Sequence, residues 1–229
     1  YIELEASRDY PTFEKKFRAR DPDLLLPNPW QTLQAIENGY HVIAMAGNAD
    51  DFKGIFIARK DNKMKDPIEL KGKRVSYPAP TALAAAIMPQ YFLHSHGVDI
   101  NNDINNIYVG SQESSIMNVY LGNVIVGATW PPPWRAFKKD NPEQAKQLKV
   151  IWQTPSLINN SIMVRDDFPK LVSKKIQHLL VSLADSAEGK TIITNMETAL
   201  FSIAKNEDYD VVRAYIENFE KKVRPVENN

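Results

Sequence analysis

The feature that most constrains this chain is a regular succession of short apolar runs, each closed by turn residues and followed by a stretch of helical period. Asp23-Leu24-Leu25-Leu26, His41-Val42-Ile43-Ala44-Met45-Ala46, Gly54-Ile55-Phe56-Ile57-Ala58-Arg59 and Arg74-Val75-Ser76-Tyr77 are of strand length. So are 105–109, 124–129, 148–152 and 161–165. Residues 1–7 alternate apolar and polar and read as a further strand. Helices are expected from Tyr10, with Pro11 in its first turn, over 32–37 before Gly39, over 82–95 before Gly97, and from Gly110 to Gly122. The tail reads as helices over 170–184, 189–195 and 211–222. Strands alternating with short helices predict an α/β architecture with largely parallel pairing.

The chain returns on itself. A charged connector over 63–73 leads into a second strand–helix series, and 152–165 leads back. This predicts two α/β lobes, one discontinuous: 1–60 plus 156–229, and 61–155, with hinge crossovers near 58–62 and 153–160. A cleft between such lobes is where a small ligand binds.

Composition narrows the function. Of 229 residues 43% are hydrophobic, enough for a sizeable core, and Lys plus Arg equals Asp plus Glu at 28 each. A neutral chain has no general field for polyanions, which argues against nucleic acid and against a polybasic membrane binder. The absence of cysteine excludes a disulfide scaffold, a zinc finger, an iron–sulfur site and a thiol enzyme. No apolar run reaches the roughly 18 residues of a membrane span. No nucleophile elbow, dinucleotide loop, phosphate-binding Walker loop or HExxH helix occurs. His94 and His96 are two apart on a helix and face different ways, so they do not form a metal pair. His41 and His178 are isolated. Asp50-Asp51 and Asp166-Asp167 fit solvated turn caps. The expectation is a binder without cofactor or metal, not an enzyme.

Three segments place polar groups where a strand gives way to a helix, the position where ligands collect on α/β sheets. Tyr77-Pro78-Ala79-Pro80-Thr81-Ala82 offers backbone N–H groups suited to an anion, although Thr81 could equally cap its own helix. Gly110-Ser111-Gln112-Glu113 offers a hydroxyl and an amide, with Ser111 as a plain N-cap the alternative. Thr129-Trp130-Pro131-Pro132-Pro133-Trp134 reads as a stiff aromatic loop, either a cleft wall or a packing corner.

Together with Ser7-Arg8-Asp9-Tyr10, Asn28-Pro29-Trp30, Lys71-Gly72-Lys73-Arg74-Val75-Ser76, Val150-Ile151-Trp152 and Asp208-Tyr209-Asp210-Val211-Val212, these segments recur in the order seen in one family. The chain resembles the phosphate/phosphite/phosphonate group of periplasmic solute-binding proteins of ABC transporters, over nearly its whole length. The resemblance implies the type 2 binding-protein fold, two lobes of mixed sheet and helices closing on ligand about a two-strand hinge. It also implies one further strand and helix before Tyr1, so the chain reads as trimmed at its start.

Carried over residue by residue, the resemblance implies a site of Tyr10, Trp30, Pro80, Thr81, Ala82, Ser111, Gln112, Thr129, Trp130 and Asn160. The family's Ser-Thr-Ser run is here Ala82-Leu83-Ala84, and a histidine is Gln112. Acidic groups that hold an aminoalkyl tail fall at about Pro132 and Asn160, both uncharged. A desolvated ammonium or a dianion is therefore disfavoured, and a less charged ligand fits better.

The expected function is capture of a small, phosphonate- or phosphate-like ligand for an ABC importer permease, in the periplasm or at the outer face of the cell membrane. The chain would act as a monomer, touching membrane only through a lost anchor or the permease. The alternative is a ligand-sensing domain of a membrane-bound kinase or cyclase. Enzymes on the same fold use cysteine and histidine clusters absent here.

Overall fold

The computed structural model describes residues 3–226. In chain order the elements are α1 (Tyr10–Arg18), β1 (Leu24–Leu25), α2 (Pro29–Glu37), β2 (Tyr40–Ala46), β3 (Ile55–Arg59), β4 (Arg74–Tyr77), α3 (Met88–Ser95) and β5 (Asn105–Tyr108). There follow α4 (Gln112–Tyr120), β6 (Val126–Thr129), α5 (Pro131–Asp140), α6 (Pro142–Ala145), β7 (Leu148–Gln153) and β8 (Ser161–Arg165). The chain then runs through α7 (Lys170–Ser182), α8 (Ala187–Asn195), β9 (Phe201–Ile203) and α9 (Asp210–Lys222).

Among the described residues the strands form a four-stranded sheet, β1-β8-β2-β9, and a five-stranded sheet, β5-β4-β6-β3-β7. Each is flanked by helices, which gives the two-lobed α/β architecture expected from the alternation. Pairing is less parallel than expected. Among the described residues only β4 with β5 and β4 with β6 are parallel. β8 runs against both β1 and β2 because it is the returning strand. The strand Ile55–Arg59, expected at the end of the first unit, belongs to the five-stranded sheet between β6 and β7. The chain thus crosses between sheets before Ile55, not near 58–62.

Residues 3–7 form no strand, and Leu4 is 94% exposed. Alternation makes a segment able to join a sheet, but a strand also needs a partner edge, and none is paired with it. Tyr1 and Ile2 lie outside the described residues.

Period-two burial explains why the central runs are apolar throughout. In β3, Phe56 and Ala58 enter the largest core cluster, while Ile55 and Ile57 enter a second cluster with Ile116, Val119 and Phe137. In β2 a register shift between Val42 and Ala44 changes the parity. Val42 therefore packs in the largest cluster, whereas Ile43, Ala44 and Ala46 pack with Ile162 and Phe201. The largest cluster is continuous across both sheets: Phe17, Leu33 and Tyr40 share it with Phe56, Val75 and Val126. Helix α9 adds Val212, Ile216 and Phe219 to it. Beyond α9, Arg224 donates to the Pro80 carbonyl at 2.8 Å and to Gln90 Oε1 at 2.9 Å, which fastens the tail to the five-stranded side.

Gly127 in β6 allows α4 to lie directly on the sheet. A Cβ there would stand 2.5 Å from the Ser115 carbonyl oxygen and 2.8 Å from Val119 Cγ2. This close approach brings the start of α4, and Gln112 with it, to the end of β6.

Candidate functional site

The site is organised by one face of α1. Asp9 caps the helix by accepting from the Thr12 amide at 2.9 Å, and Pro11 sits in the first turn. Tyr10 and Glu14 are four residues apart and so share a face. Gln112, at the first position of α4, donates through Nε2 to the Tyr10 hydroxyl at 3.2 Å. Gln112 Oε1 accepts from the Thr129 hydroxyl at 2.8 Å. One turn along α1, Glu14 Oε1 accepts from the Thr81 hydroxyl at 2.8 Å and from Gln31 Nε2 at 2.9 Å. Thr81 and Gln112, from two separate strand-to-helix junctions, thus converge on the same helix face.

Burial raises the Tyr10 phenol above its ordinary pKa, partly countered by the Gln112 hydrogen bond. The phenol is therefore neutral at physiological pH. Thr81 does not cap its own helix. Ala82 stands at that N-cap without a side-chain bond, and Leu83–Ile87 winds as a π-helix before α3. The Thr81 carbonyl accepts from Asn28 Nδ2 at 3.2 Å, while Asn28 also closes a capping box with Gln31 at the start of α2.

A cavity of about 390 Å³ opens between the two sheets. The β2 end and the α8–β9 loop contribute Ala46, Gly47, Met196, Glu197 and Phe201. Trp130, Pro132 and Ala136 wall it from the five-stranded side. Asn159 and Asn160 line it as well. Asn159 is fixed: its Nδ2 donates to the Asn48 carbonyl at 2.9 Å and its own carbonyl accepts from the Tyr209 hydroxyl at 2.8 Å. Asn160 Oδ1 is buried with no hydrogen-bond partner.

Of the ten expected residues, Trp130 and Asn160 line the cavity, while Tyr10, Thr81, Gln112 and Thr129 form the two bonded chains on α1. The other four stand elsewhere. Trp30 is 4% exposed within the largest core cluster. Ala82 is buried, and Pro80 is exposed with its carbonyl taken by Arg224. Ser111 is exposed and acts as the N-cap of α4, accepting from the Ser114 amide at 3.0 Å.

Two local expectations are corrected. The segment after Thr129 is not a loop but the start of α5, with Trp130 as its N-cap residue. Prolines suit a first helical turn because its N–H groups have no intrahelical acceptor. Trp130 itself packs on Phe52 with ring centroids 5.5 Å apart. Asp51 is not a solvated cap: both its carboxylate oxygens accept from Arg135, at 3.1 Å each.

Sequence reasoning also missed Glu14, Gln31, Asp51, Arg135 and Glu197. Glu14 carried a signal. Tyr10, Phe13 and Phe17 mark the buried face of α1, and Glu14 falls on that face, where an unpartnered carboxylate is not tolerated. Arg135 carried none, because its partners lie 84 and 62 residues away.

Comparison with known proteins agrees with the fold. Residues 1–209 match the family model described as ABC transporter, phosphonate, periplasmic substrate-binding protein. A probable ABC transporter phosphite binding protein of Prochlorococcus marinus is 23% identical over 208 residues, 84% of this chain and 70% of that protein. Its structure in complex with methylphosphonate superposes with a TM-score of 0.82, at 22% identity, over 93% of this chain and 84% of that one. The phosphonates-binding periplasmic protein of Escherichia coli is 22% identical over 84% of this chain, which spans 60% of that protein's length. The binding-protein component of an ABC phosphonate transporter from Pseudomonas aeruginosa gives a TM-score of 0.85 at 17% identity, over 94% of this chain and 74% of that one. Among the described residues no helix is long and apolar enough to cross a membrane. With two lobes around a cleft, junction residues converging on α1 and a family match covering most of its length, the chain belongs to the phosphonate-binding periplasmic substrate-binding proteins of ABC transporters, a family of binders and not of enzymes.

Proposed function

We propose that this chain captures a phosphonate-type anion of low charge carrying an uncharged organic substituent, and delivers it as a single copy to an ABC importer permease. The observation that carries the reading is Asn160 Oδ1, buried and unpartnered on the wall of the 390 Å³ cavity. Such an acceptor is unfavourable by about 1–3 kcal/mol until a donor meets it. A protonated phosphonate or a hydroxyl-bearing substituent supplies that donor.

The charge assignment follows from the donors at hand. The Thr81 hydroxyl is engaged by the Glu14 carboxylate, and the Tyr10 phenol is neutral. Neither Thr81 nor Tyr10 lines the cavity, whose own wall carries the Asp51 and Glu197 carboxylates, and these disfavour a dianion. Trp130 and Pro132 offer an apolar wall to the substituent. The methylphosphonate held by the Prochlorococcus protein supports the headgroup class. We place the hinge in the two crossings between sheets, 47–54 and 154–160.

Calorimetry with methylphosphonate, hydroxymethylphosphonate, phosphite and inorganic phosphate tests the reading. The two organic phosphonates should bind tightest, and Asn160→Leu should weaken hydroxymethylphosphonate most. Inorganic phosphate binding tightest, with no response to Asn160→Leu, would overturn it.

A further inference from the structure

We infer that Arg135 is a latch between the two lobes, and that its ion pairs beside the cavity stabilise the closed arrangement of the lobes in their own right. Arg135 projects from α5 on the five-stranded side. Its two terminal nitrogens donate to the Asp51 carboxylate at 3.1 Å each, in the fork geometry that makes guanidinium–carboxylate pairs strong. Its Nε donates to Glu197 Oε2 at 3.0 Å, and NH2 donates to the Glu197 carbonyl at 3.0 Å. Glu197 belongs to the loop between α8 and β9, on the four-stranded side, and Asp51 lies in the crossing between sheets. One side chain therefore ties together both sides of the cleft and the hinge segment.

Three further observations fit a latch better than an ordinary surface pair. Asp51, Glu197 and Ala136 all line the cavity, so the network sits on its wall. The three charged side chains are only 36%, 25% and 25% exposed, so water screens them less than it does open surface pairs. Glu197 holds φ at +53°, a left-handed conformation that a non-glycine residue keeps only where its surroundings impose it. In that conformation its carbonyl and its carboxylate both meet Arg135. Separating the lobes at this point breaks the two Arg135–Glu197 hydrogen bonds together, while the Asp51 fork ties α5 to the hinge segment.

The effect on ligand release rests on the cavity being the ligand chamber proposed above; the effect on closure does not. The absence of native cysteine makes both measurable. Spin labels at Asp140→Cys on α5 and Lys190→Cys on α8 report the separation of the two sides without ligand. The expected result is a single short distance at low salt, moving to a longer and broader distribution in molar sodium chloride and in Arg135→Ala. Glu197→Gln, which leaves the Asp51 fork intact, should give an intermediate distribution. Methylphosphonate should then dissociate about tenfold faster from Arg135→Ala than from the parent chain. Distances that ignore both salt and the two substitutions overturn the latch, whatever the ligand. Distances that respond, with no methylphosphonate binding to the parent chain, uphold the latch and sink the ligand reading alone.

Discussion

The Thr81 hydroxyl donates to Glu14 Oε1 at 2.8 Å, so the one hydroxyl left at this strand-to-helix junction is turned toward a buried carboxylate. Gln31 Nε2 binds the same oxygen. Glu14→Gln removes the charge while keeping an acceptor on the side chain. The same variant should lose about 1–3 kcal/mol of stability, since a charge-assisted acceptor has become a neutral one.

The Tyr10–Gln112–Thr129 chain predicts coupling between α1 and the end of β6. Gln112→Ala leaves two hydroxyls without their partner and should lower stability by about 1–2 kcal/mol. Combined with Tyr10→Phe in a double-mutant cycle, the two losses should be less than additive by about 0.5–1 kcal/mol. Strict additivity in denaturant midpoints would show that the bond does not contribute.

Arg135 also bears on selectivity. It pairs with Asp51 and Glu197, two carboxylates on the cavity wall, and offsets one of their two negative charges. In Arg135→Ala these become the only charges of that network, so an aminoalkyl phosphonate should gain on methylphosphonate by about tenfold in competition. Equal losses for both ligands would place the carboxylates out of reach of the substituent.

Acid should loosen α1. Hydrogen bonds from the Thr12 side chain and amide, with a smaller one from Arg8, hold the Asp9 carboxyl below its ordinary pKa. A folded-state pKa below the unfolded one means the contribution is fully present above the unfolded value and is lost as pH falls through the folded one. The window is therefore below about pH 4. Asp9→Asn, which keeps the cap without the charge, should flatten the acid limb of a stability–pH curve in that range and leave neutral pH little changed.

Gly127→Ala tests the seat of α4. The added Cβ meets the Ser115 backbone oxygen at 2.5 Å, which no side-chain rotation relieves. A loss of about 1–3 kcal/mol is expected in thermal unfolding, together with weaker ligand binding through displaced Gln112.

The strands were legible because each is a short apolar run bounded by turn residues, and burial on both faces, as in Ile55-Phe56-Ile57-Ala58, makes such runs continuous. β9 escaped notice because Phe201-Ser202-Ile203 is too short to show a period. Helix α5 was hidden by its three prolines, which mark a loop by composition and a first turn by geometry. At the site, Gln112 and Thr129 could be placed from their junctions alone. Glu14 could have been, from its position on an apolar helix face. Asp51, Arg135 and Glu197 could not, since their meeting depends on how two sheets approach each other and local pattern carries no trace of it. Trp30, expected at the site from its motif, is held by packing in the largest core cluster, which a neighbouring motif does not reveal.

The shared core behind the cleft sets how this molecule can work as a machine. Phe56, Val75 and Val126 lie in one apolar cluster with Leu33 and Tyr40, and α9 with Arg224 fastens the rear. Each 100 Å² of that cluster uncovered by opening would be unfavourable by about 2.5 kcal/mol. A movement that opens the cleft therefore has to uncover part of this shared core, so the residues that join the lobes also resist their separation.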